Sequence, residues 1–204
     1  MNTDWRNGFL FVGNQLALDF VNTRPVINGE PTEMLADGPA LAHWLQAAGL
    51  VNERASARLA REWSSPTFTA ALAGLRESRE NLRKAVFQIE AGEEPAASFI
   101  KDLNRLLLRH PVVDQMVNVS SRLERRRRFT PEIPEDAFAP LADAMADLVT
   151  DVDRVRIRKC PSCVLHFYDT SKKGTRVWCS MRMCGNRAKV AAFSWRQRAA
   201  PENS

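Results

Sequence analysis

Apolar residues recur at helical spacing along most of the first 110 positions of this 204-residue chain. Side chains three and four residues apart share one face of a helix, so such a run predicts a helix with one buried side. Asp37 and Asn52 stand where N-terminal caps are expected, and Gly49 stands where a helix should end. The pattern predicts a short strand over 9–12 and helices over 15–23, 37–48, 52–63, 69–91 and 95–108.

The pattern changes between residues 111 and 131. Four valines between positions 112 and 119 raise the propensity for a strand, and the alternation in SSRLERRRRF allows this segment to return as the antiparallel partner. We expect a small antiparallel sheet here, with Arg125–Arg128 as ordinary surface charge. Helical spacing returns over residues 135–152.

Charge divides the chain near Asp153. Residues 154–198 carry twelve lysines and arginines against one acid, Asp169, which is a net charge of +11 and leaves −6 on the remainder of a chain of formal net charge +5. Such an asymmetry is expected when one part of a protein meets a polyanion and the other does not. We therefore predict two domains, residues 1–153 and residues 154–204.

Composition favours a globular protein of the cytoplasm. The chain is 45% hydrophobic and 26% charged, yet no stretch approaches the roughly 18 apolar residues that can span a bilayer. Its first twenty residues lack the basic segment and continuous apolar run of a secretory signal. We expect a cytoplasmic location and no membrane partner.

All four cysteines lie in the basic C-terminal part. The segment CPSC at 160–163 is followed, after fifteen residues, by CSMRMC at 179–184. Two thiolate pairs suit tetrahedral zinc, and four thiolates saturate it as in a structural site. A hairpin of residues 164–170 with 176–179 would bring the pairs together around one Zn²⁺. The predicted ligands are Cys160, Cys163, Cys179 and Cys184, packed among Leu165, Phe167, Val177, Trp178 and Phe193.

Other interpretations of the cysteines stay open. A thioredoxin-like redox pair needs only one CxxC, placed at a helix N-terminus, and a disulfide framework is disfavoured in a reducing compartment. A zinc site whose thiolates oxidise would combine metal and redox chemistry. His166 is a spare ligand, which we expect to face solvent or nucleic acid because four thiolates already fill the coordination shell.

Positive charge surrounds the predicted metal site. A helix predicted over 186–198 would pack Val190, Phe193 and Trp195 on the ribbon and leave its cations outside. Phosphate is the natural partner of such a surface, so we expect DNA, and a basic surface that only aids solubility is the alternative. For Asn186 we favour a structural role beside the metal, either as the cap of a turn or in a hydrogen bond to a cysteine sulfur, over base reading. The candidate DNA contacts are Arg187, Lys189, Arg182, Lys172, Lys173, Arg176, Arg196 and Arg198.

Several segments of the sequence resemble known domains. FYDTS (167–171), RVWCS (176–180) and CGNRAK (184–189), with the paired cysteines, closely resemble the CGNR zinc finger, named for the residues that here are 184–187. LALDFVNT (16–23), LAHWLQAAGL (41–50) and LRESRENLR (75–83) resemble the ABATE domain that usually precedes this finger. The resemblance implies a bacterial stress-induced transcription regulator.

The expected fold is α+β. It has a mostly helical N-terminal domain with a small antiparallel sheet, followed by a small treble-clef or ribbon-like zinc finger that ends in a helix. The N-terminal domain would act as a sensor or as an oligomerisation unit, which leaves open a small-molecule effector and a homodimer. Asp19 and Asn22 lie one turn apart in an apolar helix. They either line an effector pocket or satisfy nearby backbone groups, and we favour the second.

No enzymatic activity is expected. The chain has three histidines and neither a Ser-His-Asp arrangement nor a glycine-rich phosphate loop, and a four-cysteine zinc has no open position. A nuclease-like ribbon would have to use His166 or Asp169 near the metal. The alternative to a DNA-binding regulator is a zinc ribbon that contacts protein or RNA without sequence-specific DNA binding.

Overall fold

Helices dominate the computed structural model, which describes residues 4–199. The predicted helices are confirmed within a few residues at their ends. Asp37 and Asn52 are the caps that the sequence indicated, since their side chains accept from the Ala40 and Ala55 amides at 2.8 Å. The helices are α1 (Leu16–Val21), α2 (Gly38–Ala47), α3 (Glu53–Glu62), α4 (Thr69–Glu90), α5 (Ala97–Arg109), α6 (Phe138–Thr150) and α7 (Asn186–Ala199).

Short antiparallel strand pairs accompany the helices. They are β1 (Trp5–Arg6) with β2 (Phe9–Leu10), β3 (Val26–Ile27) with β4 (Glu30–Pro31), β5 (Val113–Val119) with β6 (Arg122–Arg128), and β7 (Ile157–Lys159) with β8 (His166–Tyr168). The α+β fold class is therefore confirmed. No helix among residues 4–199 combines the length and the apolar character that crossing a membrane requires.

The main core forms where α1, α2, α4 and α6 meet. Its fully buried side chains include Phe20, Trp44, Leu75, Leu82 and Leu141, which are the positions that the helical spacing of apolar residues marks as inward. Ile157, at the start of β7, packs in the same core. The predicted division into 1–153 and 154–204 stays a prediction, and its residues 1–3 and 200–204 lie outside the described range.

The predicted hairpin over 111–131 is β5 with β6. Its register pairs Val113 with Arg128 and Val119 with Arg122. Ser120 and Ser121 have φ values of 51° and 66°, as a tight two-residue hairpin turn requires. Most of its side chains are exposed. Arg125 lies beside Asp114, Arg126 beside Glu124 and Arg127 beside Asp143.

The hairpin predicted within the C-terminal part is wrong in its pairing. Strand β8 pairs with β7, which precedes the first cysteine pair, and Ile157 lies opposite Tyr168. The expected partner, 176–179, forms no strand. The physical reason is a tight turn at Cys160–Leu165, which reverses the chain immediately after the first cysteines and so returns it along β7.

Strand β8 attaches the C-terminal part to the helical body. The side-chain amide of Asn22, just after α1, donates to the His166 carbonyl at 2.8 Å, and its oxygen accepts from the His166 amide at 3.0 Å. The Tyr168 amide donates to the Gly13 carbonyl at 2.8 Å, and the Asn14 side chain donates to the Tyr168 carbonyl at 2.9 Å. We call these four hydrogen bonds the joint.

Candidate metal centre

The four cysteine sulfurs form one cluster. They all lie within 4.8 Å of one another, with 3.3 Å between Cys163 and Cys179 and 3.7 Å between Cys179 and Cys184. Tetrahedral zinc with bonds of about 2.3 Å to sulfur sets the sulfur to sulfur distance at about 3.8 Å. A disulfide needs about 2.05 Å, and all four cysteines are free. The cluster thus has the geometry of a metal site.

Charge within the cluster also fits a cation. A hydrogen bond with Cys179 lowers the pKa of the Cys163 thiol from 9.0 to about 5. That same bond, together with burial, raises the pKa of the Cys179 thiol, and burial raises the pKa of Cys184 to about 11. Without a metal, Cys179 and Cys184 therefore keep their protons beside the Cys163 thiolate. A divalent cation lets several neighbouring thiols ionise together. The residues present fit zinc.

The first cysteine pair is held by the tight turn before β8. The Cys160 amide donates to the Leu165 carbonyl at 2.8 Å, and the Val164 amide donates to the Cys160 carbonyl at 3.0 Å. Val164 has φ of 58°, a left-handed conformation that is uncommon for a β-branched residue. The turn directs the sulfurs of Cys160 and Cys163 to one side and starts β8 in the reverse direction.

The second pair is held by a wide helical turn, Met181–Gly185, that leads directly into α7. The Ser180 hydroxyl accepts from the Met183 amide at 3.3 Å and donates to the carboxylate of Asp4. Leu10 and Val12 of the N-terminal segment pack against the same cluster of buried residues as the cysteines. The start of the chain therefore contributes to the core around the sulfurs, which the sequence did not indicate.

Asp169 organises the loop between the two pairs. Its carboxylate accepts from the amides of Ser171 and Arg176, both at 2.8 Å. Burial raises the pKa of this carboxyl, but hydrogen bonds from Ser171 and Arg176 outweigh burial and hold its pKa below 3.8. Arg156 and Arg158 donate to carbonyls of the same loop. The loop 169–176 is thus fixed from within.

The expectation that His166 faces solvent is wrong. Its side chain has no exposed surface, and its ring meets Phe87 edge-on at 5.0 Å between centroids. Nε2 lies 3.5 Å from the carboxylate of Glu90, and neither ring nitrogen has a hydrogen-bond partner among residues 4–199. Burial, with Arg83 and Lys159 nearby, lowers the pKa of His166 to about 4. The cause is the joint, which turns this face of β8 towards α4.

Seven of the eight predicted DNA contacts are exposed. They are Lys172, Lys173, Arg182, Arg187, Lys189, Arg196 and Arg198. Arg176 is different because its guanidinium donates to the carbonyls of Trp178 and Cys179 and lies over the ring of Phe167 at 4.8 Å. Asn186 is exposed, and within the described residues its side chain makes no hydrogen bond to a sulfur. Asn186 instead ends the turn Met181–Gly185, where its backbone amide donates to the Met181 carbonyl.

The packing predicted for the C-terminal helix is wrong. Val190, Phe193 and Trp195 of α7 are 64%, 56% and 71% exposed, and Val177 is 52% exposed. Leu165 and Phe167 are buried as expected, and Trp178 packs partly against the cysteine cluster. Strand β8 packs on α1 and β7 packs on α4, so the ribbon makes its main contacts with the helical body instead of with α7.

Asp19 of α1 and Asn22, which directly follows this helix, both bond to backbone. The Asp19 carboxylate accepts from the Gly13 amide at 2.7 Å, and burial raises its pKa to about 7. Asn22 forms half of the joint. A role for Asp19 and Asn22 in ligand binding stays a prediction. The role of Asn22 joins residues 144 positions apart, so no local sequence signal could have revealed it.

Comparison with known proteins gives two adjacent matches. Residues 14–152 match the family model for ABATE, described as "Putative stress-induced transcription regulator". Residues 156–198 match the model for the CGNR zinc finger. No curated protein matches the chain. The two models follow one another in the order that the sequence motifs indicated, and the second contains all four cysteines.

Proposed function

We propose that this chain, which belongs to the ABATE family and ends in a CGNR zinc finger, is a regulator of transcription that binds duplex DNA through the finger. One structural Zn²⁺ held by the four cysteines would fix the finger. The site takes no part in catalysis, because four thiolates leave zinc without an open position. Four unpaired cysteines also suit a reducing cytoplasm.

The distribution of charge on the finger carries the proposal. Seven exposed cations lie in the loop 170–175, the turn 181–185 and α7. The one acid between residues 154 and 198, Asp169, is fully buried and bonded to backbone amides. No carboxylate of this segment therefore competes with phosphate for these side chains. Arg176 we assign to the fold of the finger instead.

Burial of two residues weighs against a nuclease. His166 and Asp169 are the candidates for chemistry near the metal, and neither has exposed surface. Asp169 is saturated by amides and His166 faces α4, so neither side chain can approach a phosphate from solvent. This supports a binding role for the finger.

One observation favours a second candidate, a finger that contacts protein. Val190, Phe193 and Trp195 expose apolar surface on α7, and exposed apolar patches commonly mark protein interfaces. The same helix carries Arg187, Lys189, Arg196 and Arg198 without an acid, which is why we place DNA first.

A salt titration of DNA affinity separates the two candidates. The zinc-loaded full chain is titrated into a fluorescent 20-base-pair duplex, and anisotropy gives the dissociation constant at several salt concentrations. Log affinity should fall steeply with log salt, and Lys172→Gln with Lys173→Gln should reduce that slope by about one unit per lost phosphate contact. Lys101→Gln, which removes an exposed charge from α5, should leave the slope unchanged.

Two results would overturn the DNA proposal. One is absent or salt-insensitive binding, and the other is an equal loss of slope in the Lys101→Gln control. Binding to a single-stranded RNA that exceeds binding to the duplex would favour the RNA alternative.

A further inference from the structure

A groove lies between the zinc finger and the helical body. Its volume is about 600 Å³, within the size range of small-molecule sites. One wall comes from the body, with Trp5 of β1 and Val26 and Ile27 of β3. The other wall comes from the finger, with Val164, Met183 and Arg187. The joint helps to hold the two walls beside each other.

Apolar side chains on both walls are open to the groove. Trp5, Val26, Ile27 and Val164 are 46%, 44%, 42% and 41% exposed. Large apolar side chains exposed on two facing walls favour an apolar occupant, because each would lose contact with water on binding. The groove is thus a place where body and finger together offer apolar surface to a ligand.

One cation stands at this groove. Arg187 is exposed, and among residues 4–199 its guanidinium has no hydrogen bond or ion pair. No aspartate or glutamate lines the groove, and Cys163, which does, is one of the four sulfurs assigned to Zn²⁺. A planar guanidinium with all its donors available binds a carboxylate or sulfonate with two parallel hydrogen bonds.

We propose that the groove binds a small amphipathic anion, with an apolar aliphatic or aromatic body between the two walls and a carboxylate or sulfonate on Arg187. An uncharged apolar molecule would use the walls but not the arginine. A small polar anion such as phosphate would bind the arginine but leave the apolar side chains of both walls exposed to water. Only a molecule with both parts uses the whole groove.

Occupancy of the groove would weaken DNA binding, and this part of the proposal rests on the proposed function. Arg187 is one of the exposed cations at the start of α7, and a bound carboxylate would neutralise it. Ligand and phosphate would then compete for one side chain, and each would lower the affinity of the other by the same factor. The groove would thereby make the chain a sensor of amphipathic anions.

Two probes test binding without DNA. The zinc-loaded full chain is titrated with 8-anilinonaphthalene-1-sulfonate, whose fluorescence rises in apolar surroundings, and dodecanoate then displaces the dye, with dodecan-1-ol as the uncharged comparison. We expect dodecanoate to displace the dye and dodecan-1-ol to do so about tenfold less well. Arg187→Gln should weaken dodecanoate by about three- to tenfold, and Ile27→Ser should weaken it by about threefold.

Matched variants exclude general effects of charge and apolar surface. Arg54→Gln removes an exposed arginine from α3, and Ile100→Ser shortens an exposed side chain of α5. Both should bind like the wild type. Equal weakening in these controls, unchanged binding in Arg187→Gln and Ile27→Ser, or equal displacement by dodecan-1-ol would each overturn the proposal.

The coupling to DNA is measured separately, so the two proposals can fail separately. Saturating dodecanoate should weaken duplex binding by the wild type about three- to tenfold and should have no effect on Arg187→Gln. Loss of DNA binding with retained dodecanoate binding would overturn the proposed function alone. Dodecanoate binding that leaves duplex affinity unchanged would overturn the coupling.

Discussion

Replacement of Asn22 by alanine should loosen the attachment of the zinc finger to the helical body. The side chain of Asn22 is 2% exposed and makes two hydrogen bonds to the backbone of His166. Alanine removes both and leaves a buried amide and a buried carbonyl without partners. The other two hydrogen bonds of the joint, on Tyr168, remain.

The expected cost follows from these two groups. A buried polar group that loses its partner costs about 1–3 kcal/mol, so with two such groups the variant should lose about 2–6 kcal/mol of unfolding free energy. Asn22→Asp should cost at least as much, because its second oxygen would face the His166 carbonyl.

Urea unfolding of the zinc-loaded protein measures the loss, and hydrogen exchange locates it. Peptides that cover 157–168 should exchange faster in Asn22→Ala, while peptides that cover α2 and α3 should change little. Asn104→Ala, exposed on α5, is the matched control and should behave like the wild type. A loss below about 0.5 kcal/mol, within the range of ordinary surface substitutions, with unchanged exchange over 157–168, would refute the role of the joint.

Two further predictions concern buried titratable groups of the finger. The pKa of His166 is about 4 in the folded protein and 6.5 ordinarily, so the unfolded chain takes up the proton first as the pH falls. The contribution of His166 to the free energy of unfolding is fully present above pH 6.5, and up to about 3 kcal/mol of it is lost by pH 4. The difference in unfolding free energy between wild type and His166→Leu should therefore change with pH over this window, and parallel pH curves would contradict the prediction. Asp169→Asn should cost about 1–3 kcal/mol, because an amide nitrogen cannot accept the second of its two backbone bonds. Hydrogen exchange should show faster exchange at Ser171 and Arg176, and unchanged protection there would count against the account of the loop.

The elements that the sequence predicted well are those set by local patterns. Helical spacing and caps such as Asp37 and Asn52 depend on residues within one or two turns, so the helices appear where the pattern places them. The cysteine spacing likewise brings four sulfurs together, whatever the path of the chain between the pairs.

The errors concern contacts between distant segments. The joint decides that His166 faces α4, and it depends on Asn22, far away in sequence. Net charge also does not show which cations face water, since the guanidinium of Arg176 donates hydrogen bonds to nearby backbone carbonyls. Val190 and Phe193 were expected to pack because they are apolar, but the body already covers the ribbon.

X-ray absorption at the zinc edge of the purified full chain tests the central claim most directly. With one zinc per chain, the account predicts four sulfur neighbours at about 2.3 Å and no nitrogen neighbour. A protein that retains the fold of residues 157–185 without zinc, or a spectrum with a nitrogen at about 2.0 Å, would contradict it.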